Sequence, residues 1–481
     1  MKRNHLKLIS PDEATQVRDA AVKILLKYGY FIQNENTLRR LEKKGFKVDY
    51  PGFHVTLTEE AIEKLEKCAR ETNRNQATEE YVRRASSDGY TFGRNIVKTV
   101  DVHTGERRQA VHQDNIDFLK AAQNIADIKR VAPIYTSCDL PNEVEVVHAV
   151  ADSILYSSKP MGGFEIMEAC QIPYIEELLT IKNNRQVKIT DSFASMTRFT
   201  LDERAAACLD YIGQTNGLTD WGTNSCIFPG INGPLSLLGS CAMAMAEMVG
   251  GWICGYAYND QIRLNCIPVS GTMDMRSTRM LYSSPAAVLQ DAMLYQIFQY
   301  QYGMSTVPEC TATYVDAKYP GIRALHDKVF KTMSLFSYTG CQVGVHFGML
   351  EGGTAIAPAQ IMLDLELNRK LEKLTVGLDG LYGDMRLDDL LDLGPLGDYL
   401  QTDYTLDHYQ EYLFSEKYSD CSSDQSFNIV DDMKYDQDKI DSAGHDFINA
   451  LRKHDGMACS QETEAEVNKI LKAAYDKCVR Q

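Results

Sequence analysis

From about residue 112 of this 481-residue chain, short apolar runs recur at the spacing of a strand–helix unit, and this repeat constrains the fold more than any other feature. Strands are predicted over 130–136, 159–167, 188–196, 222–228, 262–269, 305–314 and 341–350, so successive starts lie 29, 29, 34, 40, 43 and 36 residues apart. Helical patterns fill the gaps at 142–156, 174–182, 202–215, 235–252, 285–302 and 322–338. Ser284 and Gly303 bracket the fifth as cap and stop, and Gly340 closes the sixth. An eight-stranded (β/α) barrel spends about 250 residues, roughly 31 per unit. An α/β fold of the TIM-barrel type is therefore expected over 112–400. A doubly wound open sheet shares the local pattern, but no Gly-rich dinucleotide fingerprint follows any strand. Seven strands can be placed and the eighth cannot.

The chain is too long for a bare barrel, and the surplus lies at its two ends. Residues 1–111 read as accessory helices followed by a hairpin around His103-Thr104-Gly105. Residues 401–481 read as an acidic linker and two helices; 415–442 hold eight acids against three Lys. The formal net charge of −16 argues against nucleic acid and anionic lipid as partners, since both call for clustered Lys/Arg. A membrane span is not expected, because the one membrane-like stretch, 235–258, carries Glu247 and four glycines. Thirteen Cys without a CxxC pair suggest reduced, mostly buried thiols. The opening MKRNHLKLISPDEATQ has no apolar signal core, so a cytoplasmic location is expected.

Walker, GxSxG and HExxH motifs are absent, as is any Cys/His cluster of the kind that binds a metal. In a barrel, the residues just after each strand converge on one mouth. Those positions are rich in aromatics: Tyr135, Phe164, Phe228, Tyr314 and Phe347, with His346 at the end of the last strand. Asp316 and Glu309 lie in the same loops, and Arg276 sits beside Asp274. The turns PGINGP (Gly230, Gly233), VSGTMDMR (Gly271) and FGMLEGGT (Gly352) would let a ligand or cofactor approach the backbone. Each has a plainer reading: the aromatics as core, Asp274–Arg276 as a loop ion pair, His346 as a packed imidazole, and Trp221 and Trp252 as packing.

Four segments, PGINGPLSLLGSCAMAMAEMVGG (229–251), VSGTMDMRSTRM (269–280), TATYVDAKYPGIRALHDK (311–328) and HFGMLEGGTAIAPAQIMLDLE (346–366), together resemble the trimethylamine methyltransferase superfamily. The opening ILLKYGYFIQNENTLRRLEKKGFKVD (24–49) is similar to the family's N-terminal segment. The resemblance implies a TIM barrel that passes a methyl group from a methylated amine to the cobalt of a separate corrinoid protein, with no tightly bound cofactor of its own. The founding member uses pyrrolysine. Every position here is a standard residue, which implies the non-pyrrolysine branch, whose members demethylate quaternary amines such as glycine betaine, proline betaine or carnitine.

A quaternary nitrogen is already cationic, so its displacement by Co(I) needs no proton donor, whereas neutral trimethylamine would need activation. On this reading Phe92, Tyr135, Phe164, Phe228, Tyr314 and Phe347 are candidates to cage the trimethylammonium. Arg94 or Arg276 would pair a substrate carboxylate. His346 would bond that carboxylate or face the corrin, and Asp316 and Glu309 would add negative potential. The family implies anaerobic one-carbon metabolism and a possible homo-oligomer. Two other readings remain open: a non-catalytic betaine-binding barrel, and a zinc-dependent thiol methyltransferase using Cys310 or Cys341 with His346.

Overall fold

A computed structural model describes residues 5–73, 96–304, 314–340, 344–375, 385–412, 417–418, 429–453 and 456–479. The architecture is mixed α/β. At its centre, strands Asp191–Ser195, Asp220–Ser225 and Arg263–Pro268 lie side by side in chain order and parallel, with Asp191 opposite Asp220 and Asp220 opposite Arg263. A parallel bridge between Val131 and Met161 brings the two preceding predicted strands together. The middle strand is buried on both faces from Trp221 to Ser225, the pattern of a parallel strand covered by helices. Five predicted strands thus run parallel or bridge in parallel. Among the described residues no closed barrel forms, and 305–313 and 341–343, within the last two predicted strands, lie outside them.

The connecting helices follow their sequence signals. Pro285–Tyr302 starts where Ser284 Oγ accepts from the Ala287 amide, and ends at Gly303 with φ +65°. Helix Leu237–Tyr256 is long and apolar enough to cross a membrane, but most of it is buried inside the fold, against Pro11–Tyr28 and the middle strand. Its one charge, Glu247, accepts from Ser225 Oγ at 2.5 Å and the Phe199 amide at 3.2 Å, and so ties the helix to the sheet. Trp221 and Trp252 are fully buried, and their indole N–H groups donate to Gly251 and Asn265 carbonyls.

Two small sheets join the N-terminal region to the rest. Tyr30–Ile32 pairs parallel with Thr200–Leu201, and hairpin strand Lys98–Val100 pairs parallel with Ala355–Ile356. The hairpin strands are Lys98–Val100 and Arg107–Gln109, as predicted around His103. The principal hydrophobic cluster contains Ile9, Leu25 and Leu65 together with Trp252, Phe298 and Cys478, so both chain ends enter one core.

The C-terminal region holds two helices, the first beginning inside the stretch expected as linker. Ile429–Arg452 is a single helix that takes in the second half of the acidic stretch, and it packs on Pro358–Thr375 and His112–Asn124. Ala443, Phe447 and Ala450 are buried at helical spacing while the charged face stays in water. Helix Gln461–Cys478 then docks on Asn142–Leu155 and Ile172–Asn183.

Candidate active site

Beyond the C-terminal ends of strands Asp220–Ser225 and Arg263–Pro268, three aromatic rings stand in a row. Phe228 and Tyr282 meet edge to face, with centroids 5.9 Å apart. Tyr282 and Tyr314 are tilted by 46° at 5.2 Å. Pair contacts of this kind contribute about 0.5–1.5 kcal/mol beyond area burial. Each ring rests against a glycine. A Cβ on Gly271 would stand 2.1 Å from Phe228, one on Gly352 2.8 Å from Tyr282, and one on Gly353 2.1 Å from Tyr314. Gly352 and Gly353 also have φ of +62° and +83°, which glycine alone adopts without strain.

Each ring is held through its backbone. The Phe228 amide donates to Asn232 Oδ1, whose Nδ2 donates to the Cys226 carbonyl. Tyr282 follows the short hairpin Thr272–Asp274/Arg279–Leu281, and its amide and that of Ser283 donate to the two oxygens of Asp316 at 2.7 and 3.0 Å. The Tyr314 carbonyl accepts from Lys331 Nζ at 2.7 Å, and the Val315 carbonyl accepts from the Gly352 amide at 2.7 Å. Burial pushes the Asp316 carboxyl above its usual range, against the pull of the two amides. Lys331 is fully buried, and this brings its ammonium down to about 8 even though Asp291, Asp316 and Asp327 favour the charge.

Of the residues proposed from sequence, Phe228, Tyr314, Asp316, Gly271 and Gly352 meet in this row. Gly230 and Gly233 shape the turn after Phe228, the Gly230 amide donating to the Gly233 carbonyl at 2.9 Å. Tyr135 and Phe347 lie in a second hydrophobic cluster, with Tyr314 packed at its edge. The Tyr135 hydroxyl pairs with that of Thr99 at 3.0 Å. Phe164 is half-buried against the main core. Arg276, 93% exposed, contacts Asp274 at the hairpin tip. Phe92, Arg94 and Glu309 lie outside the described residues, as do Cys310 and Cys341.

His346 is buried, and its imidazole is pushed down to about 3 by burial and by the Lys328 ammonium, so it is neutral near pH 7. Its carbonyl accepts from Lys328 Nζ, which also pairs with Asp364 in a fully buried ion pair. Asp364 in turn accepts from the Gly348 amide. Among the described residues no group of three His, Cys, Asp or Glu side chains is placed to hold a metal ion.

Sequence reasoning missed Tyr282 and Lys331. Tyr282 follows the VSGTMDMR turn and precedes the Ser284 cap, in the strand-to-helix connection where mouth residues are sought. Lys331 carried no signal, since a lysine on a helix reads as a solvated charge.

Sequence comparison places the chain among methyltransferases: it belongs to the trimethylamine methyltransferase (MTTB) family, which it matches over residues 1–430. It is similar to the glycine betaine methyltransferase of Desulfitobacterium hafniense (strain Y51), with 23% identity over 429 residues, 86% of this chain and 87% of that protein. That likeness agrees with a place outside the pyrrolysine-bearing subgroup.

Proposed function

We propose that the chain transfers a methyl group from a quaternary amine, glycine betaine, proline betaine or a similar zwitterion, to Co(I) of a cognate corrinoid protein. The observation that carries this reading is the Phe228–Tyr282–Tyr314 row at the ends of the parallel strands, in a chain of the MTTB family. Aromatic faces hold a trimethylammonium with roughly 0.5–2 kcal/mol per ring. The similarity to a glycine betaine methyltransferase favours a betaine over a neutral amine.

The parallel succession of strands, with a helix in each gap, further supports a (β/α)8 barrel whose mouth carries the row. The corrinoid supplies a strongly nucleophilic cobalt, and the chain supplies position. The rings grip the ammonium and aim one N–CH3 bond outward, while Asp316 adds negative potential near the cation. When the methyl group leaves, the N–C electron pair stays on nitrogen and a neutral tertiary amine departs. No proton is required, and the neutral His346 fits a role in packing or hydrogen bonding.

The test is direct. The protein is mixed with its corrinoid partner reduced to Co(I) and with a panel of glycine betaine, proline betaine and carnitine, and the cobalt spectrum is followed. Methylcobalt absorbance with at least one betaine is expected; none with every betaine would overturn the reading.

A further inference from the structure

Helix Ile322–Thr339 turns Lys328 and Lys331 inward, both with no exposure, and Asp327 with 3%. Lys328 is accounted for by Asp364, which lies on the next helix. Lys331 is placed differently: its ammonium donates to the Tyr314 carbonyl and shares its surroundings with Asp291, Asp316 and Asp327. Asp316 holds the neighbouring ring through the Tyr282 and Ser283 amides. Asp327 accepts from the Asp316 amide at 3.2 Å. Its other partners, Arg323 and His326, are 71% and 73% exposed and largely screened by water. One buried cluster thus fastens two rings of the row, and among the described residues three of its carboxyl groups face one buried ammonium.

We infer that Lys331 is a specificity-determining positioning residue: with Asp316 it fixes the Tyr282 and Tyr314 rings, and by offsetting the acids beneath them it sets how strongly the site prefers a permanent cationic group to a neutral group of the same shape. This rests on the quaternary-amine reading above. Neither side chain touches the reacting methyl group. Lys331 acts through Tyr314 and through the charge it subtracts from the acids.

The experiment compares two ligands that differ only in charge: glycine betaine and 3,3-dimethylbutyrate, in which carbon replaces the quaternary nitrogen. Calorimetry gives the ratio of their affinities for the wild type, Asp316→Asn, Lys331→Met and the double variant. Loosening of the wall weakens both ligands equally and leaves the ratio unchanged; a change of charge moves it. Asp316→Asn should lower the betaine preference about tenfold and Lys331→Met should raise it by a similar factor. The double variant, whose charge is balanced, should return to the wild-type ratio. Should Lys331→Met fail to fold, Asp316→Asn against the double variant carries the same test. Equal loss for both ligands in the variants overturns the proposal. A wild type that binds no betaine at all would instead count against the functional reading.

Discussion

The rings of Tyr282 and Tyr314 lie 5.2 Å apart, although they arrive from different connections and are fixed by different partners, the first by Asp316 and the second by Lys331. Tyr282 is the central member of the row, touching both Phe228 and Tyr314. Replacing it by Leu should raise the KM for a quaternary amine about tenfold, while Tyr282→Phe, which keeps the face, should stay within about twofold. Steady-state methyl transfer measures both. An unchanged KM in the Leu variant would remove the ring from the binding wall.

Gly271 sets how close Phe228 approaches the turn that follows strand Arg263–Pro268. A methyl group there would stand 2.1 Å from the Phe228 ring, so Gly271→Ala should cost about 1–3 kcal/mol and displace the ring. Adding Phe228→Leu should restore part of the stability without restoring substrate affinity. Urea unfolding and calorimetry separate the two effects.

The Lys328–Asp364 pair is buried on both sides and pins the His346–Gly348 backbone. Lys328→Met leaves Asp364 without its cation and should destabilise the fold by about 3–5 kcal/mol. The double replacement Lys328→Met/Asp364→Asn should recover most of that loss. A single variant as stable as the wild type in chemical denaturation would show that the pair contributes nothing.

His346 gives a pH dependence of known sign. An unfolded histidine titrates near about 6.5, whereas burial holds this one at about 3. The unfolded chain therefore takes up this proton first as pH falls. The contribution of His346 is fully present above about pH 6.5 and is lost progressively towards pH 3. His346→Gln should flatten that part of the stability profile relative to wild type, read as the difference in urea midpoints at pH 5 and pH 7. Imidazole NMR should show a neutral ring throughout pH 5–8.

Much of the framework was legible in local sequence because local signals decide it. Strands predicted at 188–196, 222–228 and 262–269 occur at Asp191–Ser195, Asp220–Ser225 and Arg263–Pro268, and the Ser284 and Gly303 signals delimit the intended helix. The site was legible in part. Phe228, Tyr314 and Asp316 were found by their position after strands, but Tyr282 owes its place to a carboxylate 34 residues away. Lys328 and Lys331 look solvated in IRALHDKVFKTM because the acids that make their burial tolerable come largely from other helices and loops. The first half of the helix at 429–452 was hidden by its charge and read as linker. Its apolar stripe, Ile440, Ala443, Phe447 and Ala450, is thin, and it packs on the two helices it covers and on Leu325 and Tyr418.

Removing residues 413–481 should therefore damage the whole molecule. Phe447, Val467 and Ile470 are buried, and each lost contact forfeits roughly 1.5–3 kcal/mol. The truncated chain should be insoluble or melt about 10 °C or more below the full chain in calorimetry. Unchanged melting would mean that these helices are dispensable additions.

Because Ile9 and Cys478 belong to the same hydrophobic cluster, that cluster cannot be completed until almost the entire chain has been synthesised. An emerging N-terminal segment has Leu25 and Tyr30 ready but lacks helix Leu237–Tyr256, whose Gly250 lies against both. Such a chain waits on the ribosome with exposed apolar groups and folds late, as a unit. Chaperone dependence during expression is the expected cellular cost of a core assembled from segments so far apart in sequence.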